Sequence, residues 1–257
     1  MRTKLLAAIA LGGAGAAAVV GGVLLVPPSS DGSAASPPAA TSGPGAGVHP
    51  RPGRGFDRAA HSTSDPSSIW VIVNKTHPIE PPDFRPEVAL VRGYQVAVPA
   101  AEPLEELMAA ADAEGLGLKI ASAFRSYDYQ LGVHADLVAA RGEAEADRVS
   151  ARAGHSEHQT GLAVDLVTPA DPGCDFEACF ADTPAGRWLA SESWRFGFVV
   201  RYRSGTTAIT GYSPEPWHLR FVGPELAAEL DRTGGTTLEE FFDVSGGDYP
   251  EEEPGGH

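Results

Sequence analysis

Two short segments hold the residue types that hydrolytic chemistry needs. In Ser156-Glu157-His158-Gln159-Thr160-Gly161-Leu162-Ala163-Val164-Asp165 a carboxylate interrupts an otherwise apolar run. A charge there is costly unless it binds a metal or accepts hydrogen bonds. His158 precedes the run across a glycine-containing turn that can fold its imidazole back toward Asp165. In Pro214-Glu215-Pro216-Trp217-His218-Leu219-Arg220-Phe221 a second histidine and a further carboxylate stand at the entry to another apolar stretch. Two histidines and one aspartate supply three protein ligands and leave the fourth position of a tetrahedral zinc to water, as catalytic sites do. Glu215 is then the extra carboxylate that takes a proton from that water. On spacing alone, the same residues fit a core histidine and a turn or capping aspartate equally well.

These segments need elements to hold them. Pro103 reads as the first-turn proline of a helix whose apolar stripe is Leu104, Leu107, Met108 and Ala111, closed by Gly115. Leu116 to Phe124 alternates with strand periodicity, and Tyr127 to Arg141 is helical. Gly161 to Val167 is a short apolar strand. Thr183 caps and Pro184 starts a helix that ends before Gly197. Phe198 to Tyr202 and Trp217 to Val222 read as strands, and short helices follow Pro224 and Thr237. The strands cluster without regular βαβ alternation. That predicts α+β: a single small domain with an antiparallel sheet flanked by helices.

The chain has 257 residues, with 34 Asp and Glu against 19 Lys and Arg and a formal net charge of −15. Such a balance excludes a general nucleic-acid binder, which needs a basic face to displace counterions from phosphates. Two cysteines exclude a disulfide-framework miniprotein and a zinc module of four thiolates. Arg2 and Lys4 precede an uncharged run from Leu5 to Val26, so residues 1–26 read as a signal peptide or membrane anchor. The remainder then lies outside the cytoplasm. Residues 27–65 read as a disordered Pro/Gly/Ser/Ala-rich linker, 66–243 as the folded domain and 244–257 as an acidic disordered tail. In an exported domain, Cys174 and Cys179 are expected to form a local disulfide.

The two chemical segments, in this order, resemble the VanY-type D-alanyl-D-alanine carboxypeptidases, zinc peptidases of the bacterial cell wall. Val73-Asn74-Lys75 with His77-Pro78, Ala121-Ser122-Ala123-Phe124-Arg125-Ser126-Tyr127 and Gly197-Phe198-Val199-Val200-Arg201-Tyr202 extend the likeness across most of residues 70–243. The resemblance implies a zinc D,D-peptidase, hedgehog-like fold with one Zn2+ held by His158, Asp165 and His218. It implies Glu215 as general base and acid, and peptidoglycan stem peptides ending in D-Ala-D-Ala as substrate. Arg125 would hold the substrate's terminal carboxylate or polarise its scissile carbonyl, with Ser156 in the same pocket. Gln130 and Tyr212 are further substrate-site candidates. Phe124 stands where the family more usually has tyrosine. His155, just outside the Ser-x-His pattern, is expected beside the site and not on the metal, and Trp217 is expected to pack.

Several activities share these motifs, because specificity lies in loop shape. An L,D-carboxypeptidase, a D,D-dipeptidase and an endopeptidase are the alternatives within the fold. A zinc-stabilised wall-binding module without catalysis is another, although it would need neither Glu215 nor Arg125. No Gly-x-Ser-x-Gly elbow is present to support a serine hydrolase.

Overall fold

The computed structural model describes residues 55–234 and 237–251. The expected export segment and the linker up to residue 54 lie outside the described residues. Among the described residues, no helix is long and apolar enough to cross a membrane.

A hairpin comes first, β1 (Val88–Val91) paired antiparallel with β2 (Tyr94–Ala97). Arg92 and Gly93 join the strands with φ of 49° and 91°, the two positive angles of a type I′ turn. Helix α1 (Val98–Ala113) follows directly and starts before the expected Pro103. Pro99 takes the first turn, and Pro103 lies inside the helix. Ala100 thereby joins Leu104, Leu107, Met108 and Ala111 on the buried face. Burial of that added turn outweighs the hydrogen bond Pro103 cannot donate.

The main sheet has four antiparallel strands, β3 (Lys119–Ser122), β4 (Ala163–Val167), β5 (Phe198–Tyr202) and β6 (Glu215–Phe221), in the order β3-β4-β6-β5. Alternation along the central pair divides its faces. Val164, Leu166, Leu219 and Phe221 enter the main core with Leu104, Leu107, Phe180 and Leu189. Ala163 and Asp165 on β4 pair with Arg220 and His218 on β6, which places all four on the opposite face. Strand β3 is shorter than the run from Leu116 to Phe124. Beyond it the chain leaves the sheet: Phe124 N–H donates to Gln95 O at 3.0 Å, and Arg125 N–H to His158 O at 3.1 Å.

Helices cover the sheet. They are α2 (Tyr127–Arg141), α3 (Glu143–Val149), α4 (Pro184–Glu192), α5 (Thr207–Thr210), α6 (Pro224–Arg232) and α7 (Leu238–Phe242). The Thr183 hydroxyl accepts from Gly186 N–H to cap α4 as expected, and Thr237 with Glu240 forms a capping box on α7.

Packing continues past both expected domain limits. Phe56 stacks on Trp70 with ring centroids 5.4 Å apart, and Arg58 lies over the Phe241 ring at 4.5 Å. At the other end, part of the segment read as a disordered tail is built into the body. Lys75 donates to Asp248 at 2.9 Å, and Arg152 N–H donates to the Tyr249 hydroxyl at 2.7 Å. Single aromatic and charged anchors hold these ends, which composition averaged over the segment conceals.

Cys174 and Cys179 form the expected disulfide. Replacing both by serine is expected to lower stability by about 2 kcal/mol, as closing so short a loop implies. Thermal unfolding measures this, and an unchanged Tm would contradict it.

Candidate active site

Strand register builds the centre. Asp165 on β4 lies directly opposite His218 on β6, with its Oδ1 3.2 Å from His218 Nδ1. His158 reaches the same carboxylate from a 3-10 turn, Glu157–Thr160, closed by Gly161 at φ +68°. A Cβ at Gly161 would stand 2.9 Å from Ala97 N, so the turn requires glycine twice over, for conformation and for space. The hairpin braces the turn there: Ala97 N–H donates to Gly161 O at 2.9 Å. His158 Nε2 then lies 3.2 Å from Asp165 Oδ2.

The outer hydrogen bonds assign the ring nitrogens. His158 Nδ1 contacts Ala123 O at 2.7 Å, and a carbonyl only accepts, so Nδ1 carries the proton and Nε2 a lone pair. His218 Nε2–H faces Glu157 Oε2 at 3.3 Å, which leaves Nδ1 for the centre. This is how ligating imidazoles are oriented in metal sites. One ligand atom each from His158, Asp165 and His218 lies within 4.8 Å of the others, and all three residues are buried. Among the described residues, His158 Nε2 and Asp165 Oδ1 are buried with no hydrogen-bond partner, a cost that a cation between them removes. The donor set therefore fits a metal ion.

Glu215 stands beside this triad, its Oε2 3.6 Å from His218 Nδ1. Burial pushes its carboxyl up to about 7, with His218 opposing and Asp165 adding to the rise. A carboxyl near neutrality can both take and return a proton. Burial pushes His158 down to about 4, and the Arg125 cation adds to that shift. Burial alone would lower His218, but the Asp165 and Glu157 carboxylates outweigh it and raise the imidazole to about 9.

The other candidates divide. Arg125 is brought to the centre: its Nε is buried without a partner among the described residues, and its charge acts on both His158 and Glu215. Ser156 is buried at the start of the His158 turn. Gln130 is buried on α2, its Nε2 donating to Ala151 O at 2.6 Å while Oε1 has no partner among the described residues. Tyr212 is buried: its ring packs on Tyr202 at 5.0 Å, and Tyr202 packs on His218 at 4.9 Å. Its hydroxyl donates to His155 O at 3.5 Å. His155 holds Asn74 O through Nδ1 at 2.9 Å and stands outside the three-ligand cluster. Trp217 packs against the main core and meets Phe176 edge-on at 5.8 Å.

Beneath the centre lies a charge network that sequence reading overlooked. Glu157 Oε1 accepts from Arg201 Nε at 2.8 Å and from Arg220 Nη1 at 2.9 Å, with all three side chains fully buried. Arg201 also binds Glu239 through both terminal nitrogens. A signal was available, since Arg201 and Arg220 interrupt apolar strands just as Asp165 does. Burial alone would raise Glu239, but Arg201 outweighs it and holds the carboxyl below its usual range. Glu157 is likewise held far below, Arg201 and Arg220 overcoming its burial. Carboxylates depressed in this way contribute stability above their unfolded value, about 4.3, and lose it as pH falls toward the folded value. Through these two carboxylates the Tm is therefore expected to fall steeply as pH drops below about 4. A melting temperature unchanged through that acid range would contradict the network's role.

The family model described as "VanY: D-alanyl-D-alanine carboxypeptidase" matches residues 94–224, which hold His158, Asp165, Glu215 and His218. The chain belongs to the VanY family. It is 34% identical over 218 residues to the D-alanyl-D-alanine carboxypeptidase of Enterococcus faecalis, covering 80% of this chain and 78% of that protein. Among solved structures, the LdcB LD-carboxypeptidase matches with a TM-score of 0.62 at 33% identity, over 70% of this chain and 88% of the other. A vancomycin-resistance D,D-pentapeptidase VanY variant in complex with Zn(II) matches at 0.58 and 35% identity, over 66% and 97%. VanYB in complex with D-alanine-D-alanine also matches at 0.58, with 34% identity over 67% and 96%. This VanY-family chain is thus of a carboxypeptidase family, and its α+β architecture is the expected one.

Proposed function

We propose that the chain is a zinc-dependent D-alanyl-D-alanine carboxypeptidase that removes the terminal D-Ala of peptidoglycan stem peptides outside the cytoplasm. The observation that carries this reading is the set of three buried ligand atoms within 4.8 Å, with Glu215 alongside. The Zn(II) complex of a related VanY supports zinc as the ion. His158 Nε2, the Asp165 carboxylate and His218 Nδ1 would hold one Zn2+, which when bound acidifies a water and polarises a carbonyl. Arg125 offers a permanent cation to the free carboxylate of the last residue and so fixes the bond to be cut. In a chain of net charge −15, that anion needs a local partner of this kind. Ser156 and Gln130 Oε1 contact the substrate in the same pocket. Glu215 takes a proton from the attacking water and returns it to the departing D-Ala amine as the peptide bond breaks. Residues 1–26, where retained, hold the domain at the membrane.

The likeness to LdcB favours a second reading, an L,D-carboxypeptidase acting on stem peptides. Incubating the zinc-loaded protein with stem penta- and tetrapeptides and weighing the products separates the two. Release of one D-Ala from the D-Ala-D-Ala end supports the first reading, and cleavage of the tetrapeptide alone supports the second. Release of the dipeptide or an internal cut indicates a dipeptidase or an endopeptidase. No cleavage despite bound zinc leaves a wall-binding module and overturns catalysis.

A further inference from the structure

We infer that Ser245–Tyr249 is a strap that holds one wall of the catalytic cleft, with Tyr249 a positioning residue for His155 and Tyr212. The inference rests on the carboxypeptidase reading for its kinetic test, while its structural test stands apart from that reading. The strap runs against the end of α5. Gly247 N–H donates to Ile209 O at 2.7 Å. A Cβ on Gly246 would lie 2.2 Å from Ile209 O, and one on Gly211 would lie 2.2 Å from Gly247 O. Only glycine permits backbones to approach that closely. Ser245 O accepts from Asn74 Nδ2 at 3.1 Å and from Thr76 Oγ1 at 3.2 Å.

Two side chains then anchor the strap. Asp248 accepts from Lys75 Nζ at 2.9 Å, and the Lys75 side chain is only 1% exposed. The ammonium sits over the Tyr212 ring at 5.0 Å and the Tyr249 ring at 5.3 Å, two cation–π contacts. The Tyr249 hydroxyl accepts from Arg152 N–H at 2.7 Å. Its ring lies under the Arg152 guanidinium at 4.2 Å and meets His155 edge-on at 5.1 Å. Arg152 to His155 leads directly into Ser156-Glu157-His158, and Tyr212 precedes Glu215 by three residues. The segments that deliver a metal ligand and the proposed base therefore converge on Tyr249. Lys75 and the strap both lie outside residues 94–224, the span of the VanY match.

The strap holds the substrate wall without supplying a ligand, so its loss should be felt in substrate binding and not in metal content. In Tyr249→Ala, kcat/KM is expected to fall about tenfold or more, within the range that small misplacements of positioning groups produce. Most of that fall should lie in KM, and zinc per chain should be unchanged. Tyr249→Phe keeps the ring contacts and should restore most of the affinity. Amide hydrogen exchange at residues 152–156 and 209–213 should speed up in Tyr249→Ala and in Asp248→Asn, whatever the activity. Unchanged exchange in both variants would overturn the strap, as would a loss of zinc equal to the loss of activity. Should the unaltered protein cleave no stem peptide, the functional reading fails, and the exchange result alone decides the strap.

Discussion

Glu215→Gln is expected to bind zinc as the unaltered chain does and to turn over stem peptide about 10²- to 10⁴-fold more slowly, the range that a positioned general base contributes. Glutamine keeps the shape of the side chain but cannot accept the proton. His158, Asp165 and His218 complete the ligand set without residue 215, so metal content is the control. Metal analysis beside steady-state kinetics makes the comparison. Full turnover in the variant would remove Glu215 from its role, and loss of zinc would make it a ligand.

The second large effect is expected at Glu157, which touches the chemistry only through His218. Its carboxylate faces two buried guanidiniums and one imidazole. Arg201 keeps Glu239 as a partner, and Arg220 keeps the carbonyls of Ile69 and Val71. Glu157→Gln nevertheless leaves the buried Arg220 guanidinium with backbone carbonyls alone, while Glu239 pairs with Arg201. Breaking a buried pair in this way costs about 3–5 kcal/mol. The same change weakens the hydrogen bond that orients His218, so zinc affinity should fall about 10- to 100-fold. Denaturant unfolding and chelator competition read the two effects separately. A variant with unaltered stability and unaltered affinity would show the network to be dispensable.

Much of this arrangement is legible in the sequence, for identifiable reasons. A carboxylate flanked by Val164 and Leu166 in a buried strand demands a partner, and strand pairing can supply one only from another strand: His218. Helix caps at Thr183 and Thr237 are local chemistry and fall where the residues place them. What escapes a sequence reading depends on distant partners. The start of α1 is decided by burial of Ala100, which local proline signals at 99 and 103 do not rank. The Glu157 network joins residues about 40 to 60 positions apart. Tyr249 sits in a glycine-rich acidic stretch, and its order arises from Arg152, His155 and Lys75 far upstream.

The measurement that bears most directly on the account is metal reconstitution. The protein is stripped with a chelator and titrated with Zn2+, while release of D-Ala from a stem pentapeptide is followed at each step. Activity should be absent from the stripped protein and rise linearly to a plateau at one zinc per chain. Full hydrolysis by the stripped protein, or one bound zinc with no release of D-Ala, would contradict a single catalytic ion held by His158, Asp165 and His218.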